Sequence, residues 1–235
     1  MQVHDRLLNA FPGMRHEIER IEQFTHRYRE EAVQLRSVVT IPVVVHILYN
    51  LDSENISDEQ VHTQIEVLNA DFRRLNADAA HTPAIFQALA ADTGIEFCLA
   101  GLDPGGRPTT GIRRRLTERN SFRLDDAVKF DDRGGLDAWP SDRYLNIWVC
   151  DIGGGILGYA QFPGGPPATD GVVIDYLCFG AGRAAAAPFH LGRTATHEVG
   201  HWLNLRHIWG DGNCNADDFV SDTPRAGGPN YTGSP

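Results

Sequence analysis

The sequence predicts an α+β domain built on a largely buried sheet, and three features carry that expectation. Short runs dominated by Val and Ile recur along the chain, as strands covered on both faces require. A well-capped amphipathic helix follows the first of these runs. A final helix begins near Arg193, after a stretch dense in glycine and proline. The 235 residues suffice for one domain with a sizeable core, or at most two small ones.

Residues 1–37 read as a helical leader. They are rich in Glu, Arg and His, and Ile18, Ile21, Phe24 and Tyr28 recur at helical spacing. A plain N-terminal helix of the same domain is the alternative; the domain proper runs from 38 to 235. IPVVVHIL predicts a buried strand over 41–48. Ser57-Asp-Glu-Gln60 then forms a capping box, with Ile56 and Val61 at the staple positions. From there Val61, Ile65, Leu68, Phe72 and Leu75 keep one apolar face as far as Asn76. Strands are expected at 94–101 and 109–117, and a mixed, loop-rich stretch over 121–140. A strong strand follows at 143–152 and a last one at 171–180. The glycines of 153–155 open no G-x-G-x-x-G helix and precede no GK[ST], so they are not a phosphate loop.

Composition removes several classes of function. Lys+Arg 21 against Asp+Glu 31 gives a net charge of −10, which argues against a nucleic-acid surface or an anionic membrane as partner. No run approaches the ~18 apolar residues of a membrane span, and MQVHDRLLNAF has no signal-peptide core. The four cysteines are too scattered for a disulfide scaffold. Cys98, Cys150 and Cys178 sit in apolar runs and read as small buried hydrophobes, whereas Cys214 lies in a polar loop.

The last helix reads GRTATHEVGHWLNLRHIWGD. His197 and His201, four apart, project from one helix face, and Glu198 follows the first. This H-E-x-x-H pattern lets two neutral imidazoles hold Zn²⁺ while the carboxylate activates a water. His207 is the natural third ligand, and an aspartate among Asp211, Asp217, Asp218 and Asp222 is the alternative. No Glu follows Glu198 to serve instead. A continued helix would turn His207 about 120° away from the His201 face, so the helix must end first. Asn204 occupies the position where a turn of positive φ is needed, and Asn tolerates that region better than any residue except glycine. Three histidines leave an open position for water, unlike the closed Cys-rich sites of structural zinc.

HEVGHWLNLRHIWGDGNC resembles the zinc site of the metzincins, and specifically of the pappalysin family of secreted metallopeptidases. IPVVVHILYN, NISDEQVHTQIEVLNADFRRLNAD, DTGIEFCLA, RYLNIWVC, GGGILGYAQFPGG and DGVVIDY also look like stretches of pappalysin catalytic domains, so the resemblance covers roughly 38–235. It implies a metzincin-like zincin domain: a twisted five-stranded mixed sheet, a backing helix, and the active-site helix at the floor of a cleft. It makes His197, His201 and His207 zinc ligands and Glu198 the general acid/base of a zinc endopeptidase acting on proteins or peptides, secreted or at the cell surface. An edge strand over 156–165 would pair with extended substrate, with Tyr159 and Phe162 read as packing residues. Asp218 and the Thr223 carbonyl match positions of a calcium-binding loop in the relatives; a solvated acidic loop is the alternative.

Departures from the family are also expected. Metzincins carry a methionine turn beyond the third histidine, but Met1 and Met14 are the only methionines here. The chain therefore reads as C-terminally incomplete, with Cys214 parted from the downstream cysteine that pairs with it in relatives. The leader resembles the pro-segment of a zymogen. No cysteine precedes Cys98, so Asp5 or a leader glutamate is the expected blocking group. A catalytically inactive metzincin-like peptide-binding module is the alternative to the enzyme.

Overall fold

A computed structural model describes residues 2–30, 37–182, 185 and 187–229. The Val/Ile run after the leader forms its spine. Strand β1 (Val39–Tyr49) is buried from Val43 to Leu48 and carries two parallel neighbours on one edge. Its first half pairs with β2 (Ile95–Leu99) and its second half with β3 (Ile112–Leu116). The other edge of β1 pairs in parallel with β4 (Leu145–Cys150), and β4 with β6 (Val172–Asp175). A short strand, β5 (Gly158–Ala160), ends the order antiparallel to β6. The expected mixed sheet is thus present, six strands filling five positions because β2 and β3 share one edge of β1.

Alternation along the strands divides the interior in two. Val43, Val45, Ile47, Ile147 and Ile174 pack on Val61, Ile65 and Leu68 of α3 (Asp58–Phe72) and on Ala195 and Val199 of α4 (Arg193–Trp202). The opposite face presents Leu48, Trp148, Cys150 and Val173. Against it lie Val3 and Leu7 of α1 (Gln2–Ala10) and Met14, which opens α2 (Met14–Glu30). Full burial of such a side chain contributes about 1.5–3 kcal/mol, so α1 is well anchored.

Several local expectations need correction. Ser57 Oγ accepts from the Gln60 backbone N–H, but the Gln60 side chain does not complete the capping box; it donates to the Phe179 carbonyl at 2.8 Å. A long-range acceptor has replaced the local one. The helix ends at Phe72, and Leu75 is 75% exposed because Arg74 takes φ 53° and turns the chain away. Cys98 is exposed beside buried Phe97, as the period of two dictates, while Cys150 and Cys178 are buried as expected. Phe24 and Tyr28 stack on each other at the surface of α2 rather than in a core. The last strand stops at Asp175, whose carboxylate caps a 3-10 turn by accepting from Leu177 N–H. The leader's end at 31–36 and the chain beyond 229 lie outside the described residues. No helix among the described residues is long and apolar enough to cross a membrane.

Candidate active site

Helix α4 is held at both ends by features of its own sequence and of α3. Gly192 opens it at φ 69°, and its carbonyl accepts from Gln64 Nε2 at 3.0 Å. One turn in, Thr196 Oγ1 and Arg193 Nε both donate to a carboxylate oxygen of Asp71 on α3, at 2.7 and 2.9 Å. At the far end the Leu205 N–H bonds the Gly200 carbonyl and the Asn204 N–H bonds the His201 carbonyl. With Asn204 at φ 75°, these two bonds are the paired closure of a left-handed helix end. The turn required by the spacing of His201 and His207 therefore falls on Asn204.

The turn brings three imidazoles to one point. The Nε2 atoms of His197, His201 and His207 lie 3.0, 3.1 and 3.2 Å apart. Tetrahedral coordination at a Zn–N distance of about 2.0–2.1 Å spaces ligand nitrogens about 3.3–3.4 Å apart, close to this triangle. The outer ring nitrogens explain what the inner ones present. His201 Nδ1 lies 2.7 Å from the Leu205 carbonyl, which can only accept, and His207 Nδ1 lies 2.6 Å from the Asp211 carboxylate. Each Nδ1 thus carries the proton in the neutral ring, leaving bare lone pairs on Nε2. Burial lowers the His197 and His201 pKa values, the latter to about 4, so both are neutral near pH 7. Lone pairs converging at 3.1 Å repel unless a cation lies between them. The donor set fits a metal ion, and among the described residues no other group of three His, Cys, Asp or Glu converges so closely.

Glu198 points into the same cavity, of about 320 Å³, between α4 and β5. Its side chain is buried, and burial pushes its pKa up to about 8; a cation at the histidines would favour the ionised form. Gly158 makes room for it, since a Cβ there would lie 3.0 Å from Glu198 Cγ. Gly158, Tyr159, Ala160 and Phe162 form the β5 side of the cavity. Tyr159 and Phe162 are buried and also line the cavity.

The leader also reaches this cavity. Gln2, Val3 and His4 line it, and Phe162 stands between the His4 and His201 rings, with centroid separations of 5.0 and 5.2 Å. Arg6 pairs with the buried Asp126, and Glu22 accepts from Asn204 Nδ2 at 3.1 Å. Asp5 is not among the lining residues, nor is any leader glutamate whose side chain is described; Glu31 and the Glu30 side chain lie outside that description. Burial decides it: Val3 and Leu7 take the core side of α1, and Asp5 falls between them on another face.

The acidic loop divides its residues. Asp211 binds His207 rather than standing as an alternative ligand. Asp217 accepts from Phe219 N–H and pairs with Arg225. Asp218 is buried and accepts from Val220 N–H at 3.0 Å, and Thr223 N–H donates to the Val220 carbonyl. Cys214 is a free, exposed thiol. Asp71 is not marked for its place by sequence spacing and acts through a contact 125 residues away; Asp211, four residues beyond His207, stands in the sequence as a candidate ligand and instead binds the outer ring nitrogen.

A family model described as Peptidase_M43, pregnancy-associated plasma protein-A, matches residues 130–233. Mature mirolysin of Tannerella forsythia, solved with a cleaved peptide, is 55% identical with a TM-score of 0.81, over 83% of this chain and 74% of that one. A promirolysin mutant from the same organism is 47% identical with a TM-score of 0.86, over 97% of this chain and 76% of that one. An extracellular metalloprotease of Pyricularia oryzae is 31% identical over 80% of this chain, which spans 58% of that relative's length. A histidine triad closed by the Asn204 turn, on a sheet shared with mirolysin, agrees with the family match: the chain belongs to the Peptidase_M43, or pappalysin, family of metzincin metallopeptidases.

Proposed function

We propose that this chain is a zinc-dependent endopeptidase in which His197, His201 and His207 hold the ion and Glu198 is the general acid/base. One observation carries the reading: three Nε2 atoms converge within 3.0–3.2 Å in a cavity that also holds the Glu198 carboxyl. Bound zinc supplies a Lewis acid that polarises a carbonyl and acidifies a water. The protein's own groups do the rest. Glu198 takes the proton from the attacking water and returns it to the leaving amine. Strand β5 is the last in the sheet order, so its outer edge offers backbone groups to an extended peptide laid beside it. Gly158 keeps that edge close to Glu198.

The leader is the natural occupant of the cleft until substrate replaces it. Support comes from the placement of Gln2, Val3 and His4 in the cavity, and from the longer match to promirolysin than to mature mirolysin, 97% against 83% of this chain. Secretion is supported by relatives named extracellular metalloproteases, and peptide substrates by the cleaved peptide bound to mirolysin. Asp218 and the Thr223 carbonyl remain the candidate calcium ligands. Calcium is then expected to raise the melting temperature of wild type and not of Asp218→Ala. Metal analysis tests the main reading: one zinc per chain is expected, lost with hydrolytic activity in His207→Ala, and a zinc-free active enzyme overturns it.

A further inference from the structure

His207 differs from the other two histidines in what holds it. His197 and His201 are one turn apart on α4, so the helix fixes their directions. His207 lies beyond the helix end, where backbone geometry alone leaves the ring free to turn. Two side chains remove that freedom. Trp209 stacks on the His207 ring with centroids 4.3 Å apart and planes 6° from parallel. The Asp211 carboxylate accepts from Nδ1 at 2.6 Å. The chain between them is bent to make this happen, with Gly210 at φ 56° and Asp211 itself at φ 57°. A Cβ on Gly210 would meet the Asp217 backbone at 2.7 Å, so that bend is packed in place. The left-handed region is unfavourable for a non-glycine residue, and here it places the carboxylate against the imidazole.

We propose that Asp211 and Trp209 are the positioning residues of His207. Asp211 fixes the tautomer that keeps the Nε2 lone pair free, and its charge strengthens that nitrogen as a donor. Trp209 fixes the plane of the ring, so that the lone pair points at the meeting place of the His197 and His201 nitrogens. Their side chains meet the outer nitrogen and the flat face of the ring. Together they do for His207 what the helix does for its two partners. The inference rests on the reading of the triad as a zinc site.

The test follows zinc itself in the full chain. Zinc release to a chromophoric chelator is timed for wild type, Asp211→Ala, Asp211→Asn and Trp209→Ala, with the absorption spectrum of each Co²⁺-substituted protein and a check of fold by circular dichroism. Removing a partner of this kind weakens metal binding about 10–100-fold, so Asp211→Ala is expected to hold zinc that much less tightly and to show an altered cobalt spectrum. Asp211→Asn, which keeps an acceptor but loses the charge, is expected to fall between Ala and wild type. This isosteric variant carries the test if the Ala chain fails to fold. Trp209→Ala is expected to change the cobalt spectrum. Wild-type release rates and spectra in both Asp211 variants overturn the proposal. Failure of wild type to bind zinc overturns instead the reading of the triad.

Discussion

His46 illustrates how a single buried side chain links sequence to solution behaviour. It lies on β1 in the middle of the sheet, stacks on Trp148 at 5.1 Å and bonds Asn146 Oδ1 at 3.0 Å. Burial lowers its pKa to about 3, so the folded chain keeps it neutral. Below the ordinary value of 6.5 the unfolded chain takes up a proton that the folded chain refuses. Stability therefore falls as pH drops from 6.5 toward 3, by about 1.4 kcal/mol per pH unit for this one group. Urea midpoints near neutrality and about 1.5 units below 6.5 are expected to show His46→Phe losing about 2 kcal/mol less than wild type over that interval. Equal losses would show that His46 is not the group responsible. The sequence marks His46 only as a polar interruption of an apolar strand. Its partner Asn146 is a hundred residues away, and no local pattern joins the two.

At the scale of elements, legibility followed the range of the interactions. The H-E-x-x-H helix, the cap at Ser57 and the left-handed turn at Asn204 are local, and the sequence located all three. Gln60 departs from its local pattern because its side chain bonds Phe179 across 119 residues instead of closing the capping box. Leu75 leaves the apolar face of α3 because Arg74, not a glycine or proline, takes the positive φ that turns the chain. The Asn204 turn makes a prediction of its own. Asn204→Gly suits φ 75° and is expected to keep zinc affinity, whereas β-branched Asn204→Val is expected to lower the melting temperature by several degrees and loosen zinc. Thermal melts with and without chelator separate the two, and wild-type behaviour in Asn204→Val would remove the turn from the account.

Across the whole molecule, the leader is held by core packing and polar ties together. Val3, Leu7 and Met14 share a buried cluster with Phe122 and Trp148, while Arg6 and Glu22 tie α1 and α2 to Asp126 and Asn204. Composition set the leader apart from the rest of the chain, but the side chain facing the cavity depends on how α1 docks, which no stretch of 37 residues encodes alone. A single cut near residue 37 that frees the leader is expected to raise peptidase activity at least tenfold and to lower the melting temperature. Activity unchanged by the cut would mean that Gln2, Val3 and His4 do not obstruct substrate.

The most direct test of the central claim is cleavage of a diverse peptide mixture, read by mass spectrometry, for wild type, wild type with a zinc chelator, and Glu198→Gln. Chelator-sensitive cuts in wild type are expected, reduced about 10²–10⁴-fold in Glu198→Gln while that variant keeps its zinc. Cuts that survive the chelator or the substitution, or no cutting by folded, zinc-loaded chain freed of its leader, would contradict it.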